Sequence, residues 1–449
     1  MLRSDQFIRR NLKHYFDKIR NEKIRRLILQ AFPFWIASLI TGVFAVIYAK
    51  LFAYAEKGAG YLYQQAHWSF FIATPICFFV AVWLVNRFAP LARGSGIPQV
   101  ITAIELATPR EHNLVDKLLS IRIIVVKVIS SCIMAIGGGI IGREGPTIQI
   151  AGSVFRKINN MLPEWWPRIS KRNMVMTGAA AGLAAAFNTP LGGIVFAMEE
   201  LSRTHISFYK TAIFSAVIIA GLTAQSMLGS YLYIGYPDLQ HLSLSMVFVV
   251  VIVALLSGLF SSMMCKLLLK IFRWKMKLTS VWKKRGYLLL CAMTVGAMAY
   301  FVGQHTLNSG KDLMTQLLFT DEKQVDWYMP LLRMLGSVVS FTSGGAGGVF
   351  APALSAGAGI GAVVAHWFHL TPQHINLMVL AGMVAFLTGV TRSPFTSAIL
   401  VLEMTDGHTV IFYLMIAALA ANLIAYFVDK HSLYDQLKHG YIRELQSAQ

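Results

Sequence analysis

The chain has 449 residues, 56% of them hydrophobic and 14% charged, with a mean hydropathy of +0.57. A soluble protein of this length carries about 25% charged residues, so lipid is the expected solvent for much of the surface. The formal net charge of +19 is accompanied by no base-reading helix or aromatic sheet motif, and no nucleic-acid partner is expected.

Taken in chain order, residues 1–31 open with Arg9, Arg10, Lys13, Lys18, Arg20, Lys23, Arg25 and Arg26. The stretch is too long and too charged for the head of a signal peptide. It reads as a cytoplasmic amphipathic helix lying on the membrane surface. Long apolar runs follow at 33–55, 69–90, 119–141, 211–234, 244–265, 287–303 and 408–427. Between them lie Gly-rich apolar pieces at 137–153, 177–198, 343–367 and 379–402, which read as too broken by Gly and Pro for ordinary spanning helices. Irregular backbone at membrane depth must line a cavity or be buried in protein, so these pieces point to a transport site.

The connectors orient the chain. Residues 266–285 hold Lys266, Lys270, Arg273, Lys275, Lys277, Lys283, Lys284 and Arg285 with no acid. Residues 156–172 hold Arg156, Lys157, Arg168, Lys171 and Arg172 against Glu164 alone. Both are expected in the cytoplasm together with the two termini. The acidic connector 304–326, with Asp312, Asp321, Glu322 and Asp326, is expected on the other face. The sequence runs about 25 residues past its last apolar run, and no cytoplasmic regulatory domain is expected. Cys77, Cys132, Cys265 and Cys291 lie in or beside apolar stretches at unrelated spacings, so neither zinc nor a disulfide framework is expected. The histidines form no paired-ligand pattern; no metal and no cofactor are expected.

An internal repeat is visible. Gly138-Gly139-Ile140-Ile141-Gly142-Arg143-Glu144-Gly145-Pro146 aligns with Gly344-Gly345-Ala346-Gly347-Gly348-Val349-Phe350-Ala351-Pro352 at an offset of 206. The stretch from Thr189 to Glu199 aligns with that from Ser393 to Glu403 at an offset of 204. Two matches at nearly one offset predict two related membrane halves, 32–235 and 244–427, followed by a short C-terminal helix and tail at 428–449. Repeated halves with broken helices are a transporter architecture in which inverted topology is common.

Three segments and one isolated residue carry candidate chemistry: Gly94-Ser95-Gly96-Ile97-Pro98, Gly142-Arg143-Glu144-Gly145-Pro146, Gly348-Val349-Phe350-Ala351-Pro352, and Tyr434 just past the last apolar run. Gly lets backbone approach a ligand closely, and Pro suits the first turn of a helix. Each segment therefore presents free N–H groups at a helix N-terminus within the membrane, and such ends attract anions. No full charge is needed, so the anion can also leave. Ser95 and Tyr434 can add hydroxyl donors. The bland alternative is three helix breaks used only for packing.

These segments resemble the signature sequences of the CLC family of chloride channels and chloride/proton antiporters, in the family's order, and TGAAAGLAAAFNTPLGGIVFAMEE at 177–200 is similar to the family's segment between the second and third. The resemblance runs from about residue 32 to 439. It implies an all-α polytopic membrane protein of two inverted repeats with tilted and discontinuous helices, of the prokaryotic type, and a homodimer. It implies that chloride is held by the Ser95 and Tyr434 hydroxyls and the N–H groups of Val349 and Phe350. By the same resemblance Glu144 is gate and proton carrier, and Glu200 is the inner proton-transfer acid that marks exchangers. The expected partners are chloride, protons and the lipid bilayer, and the expected place is the bacterial inner membrane.

The alternatives differ in class. A passive chloride channel of the same fold is the runner-up, discriminated by Glu200. Glu200 also reads as a helix-end acid solvated in a loop, and Glu144 as a partner of Arg143. Glu199 is the weaker proton-transfer candidate, because its repeat partner Glu403 points to a shared structural task. A fluoride exporter fits less well, since Ser95 and Tyr434 both match the chloride pattern. A membrane-embedded serine hydrolase lacks a histidine base on a later apolar segment. Acids that relatives sometimes carry after the first signature are replaced here by Gln99, Val100 and Ile101.

Overall fold

The computed structural model describes residues 21–108, 111–201, 210–229, 232–239, 243–405 and 407–447. Most of the expected N-terminal surface helix therefore lies outside the described residues. In chain order the helices are α1 (Glu22–Gln65), α2 (Phe70–Phe88), α3 (Ile97–Glu105), α4 (His112–Leu118), α5 (Ile121–Ile136), α6 (Glu144–Met161), α7 (Lys171–Phe187), α8 (Pro190–Phe196) and α9 (Lys210–Leu228). The second series runs α10 (Met246–Met276), α11 (Val281–Phe301), α12 (Lys311–Phe319), α13 (Met329–Ser343), α14 (Phe350–Trp367), α15 (Pro372–Thr391), α16 (Pro394–Thr405), α17 (Ile411–Val428) and α18 (Leu433–Ser447). Among the described residues, eight helical segments are long and apolar enough to cross a membrane.

The layering follows from which helices carry Gly and Ala and which carry bulky apolar side chains. The apolar windows of α14 and α15 are 89% buried, that of α2 only 28%. A Cβ at Gly357 would run into the Gly382 carbonyl, and one at Gly361 into the Met378 carbonyl. Small residues thus let α14 and α15 pack backbone to backbone at the centre. The outer helices instead expose Ile76 and Trp83 on α2, Phe248 on α10 and Phe412 and Phe427 on α17, an apolar rim suited to lipid. This revises one reading. The pieces 343–367 and 379–402 contain intact helices, and the chain breaks only at 344–349 and 392–393. Their Gly residues serve packing as well as interruption.

The halves correspond helix by helix, α5 to α9 with α13 to α17. Glu144 opens α6 and Phe350 opens α14, at the offset of 206. Asn188 after α7 (φ 58°) and Arg392 after α15 (φ 63°) are both left-handed caps. Gly142 N–H donates to Gly348 O at 2.7 Å, and Gly348 N–H donates back to Gly142 O at 2.7 Å, in an antiparallel bridge. Equivalent residues that exchange bonds in this way have a local two-fold axis between them, the geometry of inverted halves.

A second exchange repeats the pattern. Glu199 accepts from the N–H groups of Phe395 and Thr396 at the start of α16, at 3.2 and 2.7 Å. Glu403 accepts from those of Leu191 and Gly192 at the start of α8, at 3.0 and 2.6 Å. Each half thus caps a helix of the other, placing a carboxylate at a positive helix end.

Candidate functional site

The three signature segments end the loops that precede α3, α6 and α14, and backbone pairing joins them. Gly94 N–H donates to Gly345 O at 2.8 Å, and Gly347 N–H donates to Gly94 O at 3.1 Å. The Gly142–Gly348 exchange adds the remaining loop. Serines of the opposite halves brace the arrangement: Ser340 Oγ accepts from Ile140 N–H at 3.0 Å, and Ser130 Oγ from Ala346 N–H at 3.2 Å. Approach this close requires glycine. A Cβ at Gly145 would overlap the Ser95 hydroxyl, and one at Gly142 would overlap Glu144 Oε2. Gly96 is left-handed (φ 108°) and its Cβ would stand 2.7 Å from the Gly145 carbonyl. Pro98, Pro146 and Pro352 each fall in a first helical turn, where a missing N–H removes no intrahelical bond.

The helix starts bring polar groups together. Ser95 precedes α3, Val349 and Phe350 begin α14, and Tyr434 stands in the first turn of α18. First-turn N–H groups have no intrahelical acceptor and carry partial positive charge. Tyr434 is fully buried, its hydroxyl lies near that of Ser95, and Glu200 and Glu144 are within electrostatic reach. The Ser95 hydroxyl, the Tyr434 hydroxyl and Glu144 Oε2 are all buried with no hydrogen-bond partner. Leaving such an atom unpaired costs about 1–3 kcal/mol, so three of them beside converging helix ends favour a small polar guest. The buried side chains of Ile97 and Ala351 line the first turns of α3 and α14.

Glu144 is fully buried at the start of α6, after Arg143. Tyr233 donates its hydroxyl to Glu144 Oε1 at 3.2 Å. The Tyr233 ring is itself held, edge-on to Phe187 at 4.9 Å and beneath the Lys311 ammonium at 4.8 Å. Phe187 in turn packs against Phe350 at 5.7 Å. A cavity of about 70 Å³ is lined by Glu144, Arg143, Tyr233, Glu56, Ser309 and Lys311, among others. Glu56, Ser309 and Lys311 also line a larger cavity of about 500 Å³ beside the 304–312 segment. Glu56 accepts from Ser309 N–H at 3.0 Å. Sequence reasoning missed Tyr233 and Glu56. The only available signal was an acid at the end of an apolar run.

Glu200 sits on a single π turn, Ala197–Leu201, and accepts from Ser393 Oγ at 2.7 Å. Glu199 and Glu200 therefore both reach the start of α16, one to its N–H groups and one to the serine before it. Gln99 is buried. It accepts from Gly96 N–H at 3.1 Å and donates to Arg93 O at 2.6 Å and to the Tyr441 hydroxyl at 3.1 Å. It braces the first signature loop against α18, while Val100 is buried among apolar neighbours. Lys127, fully buried on α5, donates to Gln149 Oε1 at 2.5 Å, and that oxygen lies beside Gly96. Among the described residues no cluster of His, Cys, Asp and Glu is placed to hold a metal ion.

Residues 77–426 match the family model described as voltage gated chloride channel. The chain is 27% identical to the H(+)/Cl(-) exchange transporter ClcA of Klebsiella pneumoniae, an alignment covering 94% of this chain and 93% of that one. A solved structure described as a slow cyanobacterial Cl-/H+ antiporter superposes with a TM-score of 0.80 at 25% identity, covering 93% of this chain and 98% of that one. A CLC-type fluoride/proton antiporter shares the fold at a TM-score of 0.75 and 19% identity, covering 91% of this chain and 97% of that one.

Proposed function

The chain belongs to the voltage-gated chloride channel family, and from that premise we propose that it is an integral membrane antiporter exchanging chloride for protons. One observation carries the reading. The Ser95 hydroxyl, the Tyr434 hydroxyl and Glu144 Oε2 are buried and unpartnered where the starts of α3, α6, α14 and α18 converge. Hydroxyl and N–H donors suit a chloride ion, and an ionised carboxylate competes for the same place because it too is an anion.

In this reading chloride rests against Ser95, Tyr434 and the N–H groups of Val349 and Phe350. Ionised Glu144 closes the path, steadied by Tyr233. Protonation removes the charge that holds Glu144 among the donors, and the side chain moves toward the small cavity it shares with Arg143 and Glu56. Chloride then takes its place. Glu200 supplies the proton from the opposite face. Water bridges the gap between the two acids for the moment of transfer.

The basic connectors favour a cytoplasmic N-terminus and C-terminus in a bacterial inner membrane. A homodimer fits the exposed apolar face of α8, α9 and α16, with Leu191, Leu222 and Phe395 on it. Equivalent helices of both halves build that face, so it is suited to an isologous contact.

The test is proton movement in liposomes under an imposed chloride gradient. The expected result is proton uptake driven by chloride and abolished when the gradient is removed. Chloride flux without proton movement replaces the exchanger with the passive channel.

A further inference from the structure

A cavity of about 750 Å³ lies away from the anion site, where the end of α2, the end of α10, the start of α11 and the last residues of α13 meet. Arg93, Lys275, Lys284 and Arg285 line it and no carboxylate does. Glu444 pairs with Arg93. Lys275 donates to the carbonyls of Thr342 and Ser343, both at 2.7 Å, which occupies two of its three ammonium hydrogens and leaves one for a guest. Lys284 and Arg285 project from the first turns of α11, whose N-cap Ser280 makes no side-chain cap bond. That helix end adds its own partial positive charge. The other half of the lining is apolar: Phe79, Val82, Trp83 and Leu288. Trp83 is exposed on α2, in line with the exposed Val80 and Ile76 further along the same helix.

We propose that this cavity seats the phosphate of an anionic phospholipid, with Lys275, Lys284 and Arg285 around the headgroup and the chain lying along Trp83 toward Ile76. Two physical arguments favour a lipid over a free ion. The charged half and the apolar half are continuous, which matches one amphiphile and wastes half the site on an inorganic anion. The cavity also sits at the ends of α2 and α10, both long and apolar enough to cross a membrane, beside the acid-free stretch 266–285, and helix ends of that kind fall near the headgroups, where anionic leaflets attract basic clusters. A generally solvated basic face would lack the concave volume and the apolar wall. The floor of the cavity is Ser343 and Gly344, and Gly345 next to them accepts from Gly94 of the first signature loop. A lipid seated here leans on the backbone that carries the anion site.

The experiment counts bound lipid. Full-length protein is purified in mild detergent, stripped, offered phosphatidylglycerol or phosphatidylcholine, and weighed intact by native mass spectrometry. The expected result is one saturable phosphatidylglycerol per subunit, at least tenfold weaker retention of phosphatidylcholine, and at least tenfold loss of phosphatidylglycerol in Lys284→Gln/Arg285→Gln. Equal retention of the two lipids overturns the proposal, as does unchanged binding in the variant. Displacement of phosphatidylglycerol by millimolar inorganic phosphate also overturns it and makes the cavity a free-anion site. If the double variant fails to fold, the comparison of the two lipids on unaltered protein decides alone. The readout is lipid mass, so its failure is separate from any failure of the exchanger reading.

Discussion

The two halves share a plan yet differ at a few equivalent positions. Where they agree, the residues hold the molecule together. Glu199 and Glu403, equivalent by sequence, each cap a helix of the other half, and Gly142 and Gly348 pair with each other. Where they disagree, a titratable side chain stands on one side only. Glu144 at the start of α6 corresponds to Phe350 at the start of α14, and Glu200 corresponds to Met404. A symmetric acid is therefore read as architecture, and an asymmetric acid as transport chemistry. That division separates Glu199 from Glu200, two neighbours with the same side chain.

Five mutations, and a pH series with one variant of its own, test the division in order of expected effect. Glu144→Gln removes the charge permanently. Chloride-driven proton transport should fall at least a hundredfold while chloride still passes, measured side by side in liposomes; residual coupling would return the proton to another acid. Glu200→Gln should lower proton transport at least tenfold with chloride conduction retained. If that variant still couples, asymmetry is no guide to function on the inner side.

Tyr233→Phe deletes one hydrogen bond to Glu144, a contribution of about 0.5–1.5 kcal/mol. Chloride turnover should rise roughly two- to tenfold with the proton-to-chloride ratio unchanged; a turnover equal to wild type removes Tyr233 from the gate. Glu199→Gln and Glu403→Gln should each retain coupling and each lower stability by about 1–2 kcal/mol. Thermal melts of the two variants should shift alike, and a large difference between them breaks the symmetry argument.

The smallest effect concerns the docking of α18. Burial tends to raise the Asp429 carboxyl. The His431 N–H, the Gln436 amide and the Arg392 and Lys266 charges outweigh it, so its pKa lies below the ordinary value. A lowered carboxyl contributes stability above its unfolded pKa, about 3.9, and loses it as pH falls through the lower folded value. Limited proteolysis of the C-terminal helix should accelerate only at pH below about 4, and Asp429→Asn should flatten that dependence.

The positions of the three loops were legible in the sequence because Gly and Pro act locally. A helix that starts at Glu144 or Phe350 needs no distant partner to be recognised. The task shared by Glu199 and Glu403 was legible through the repeat alone. Other features were out of reach. Tyr233 meets Glu144 only because the segment after α9 folds back, where Met404 O accepts from Ile234 N–H at 3.3 Å. The pairing of the loops uses backbone atoms, which leave no side-chain pattern to read. The Gly residues of α14 and α15 looked like breaks because a residue that interrupts one helix lets another pack closely.

The loop pairing has a mechanical consequence. Four backbone hydrogen bonds, two at the local dyad and two at Gly94, fasten the first, second and third signature loops into one body. Rocking one half against the other, the cycle of many repeat-built carriers, would shear that keystone at the spot where we place the anion. The cheaper motion leaves the keystone whole and turns side chains around it. Traffic through this chain is then timed by torsions of single residues at a fixed frame, and spin labels placed on the two halves should report nearly the same separations in acid as at neutral pH.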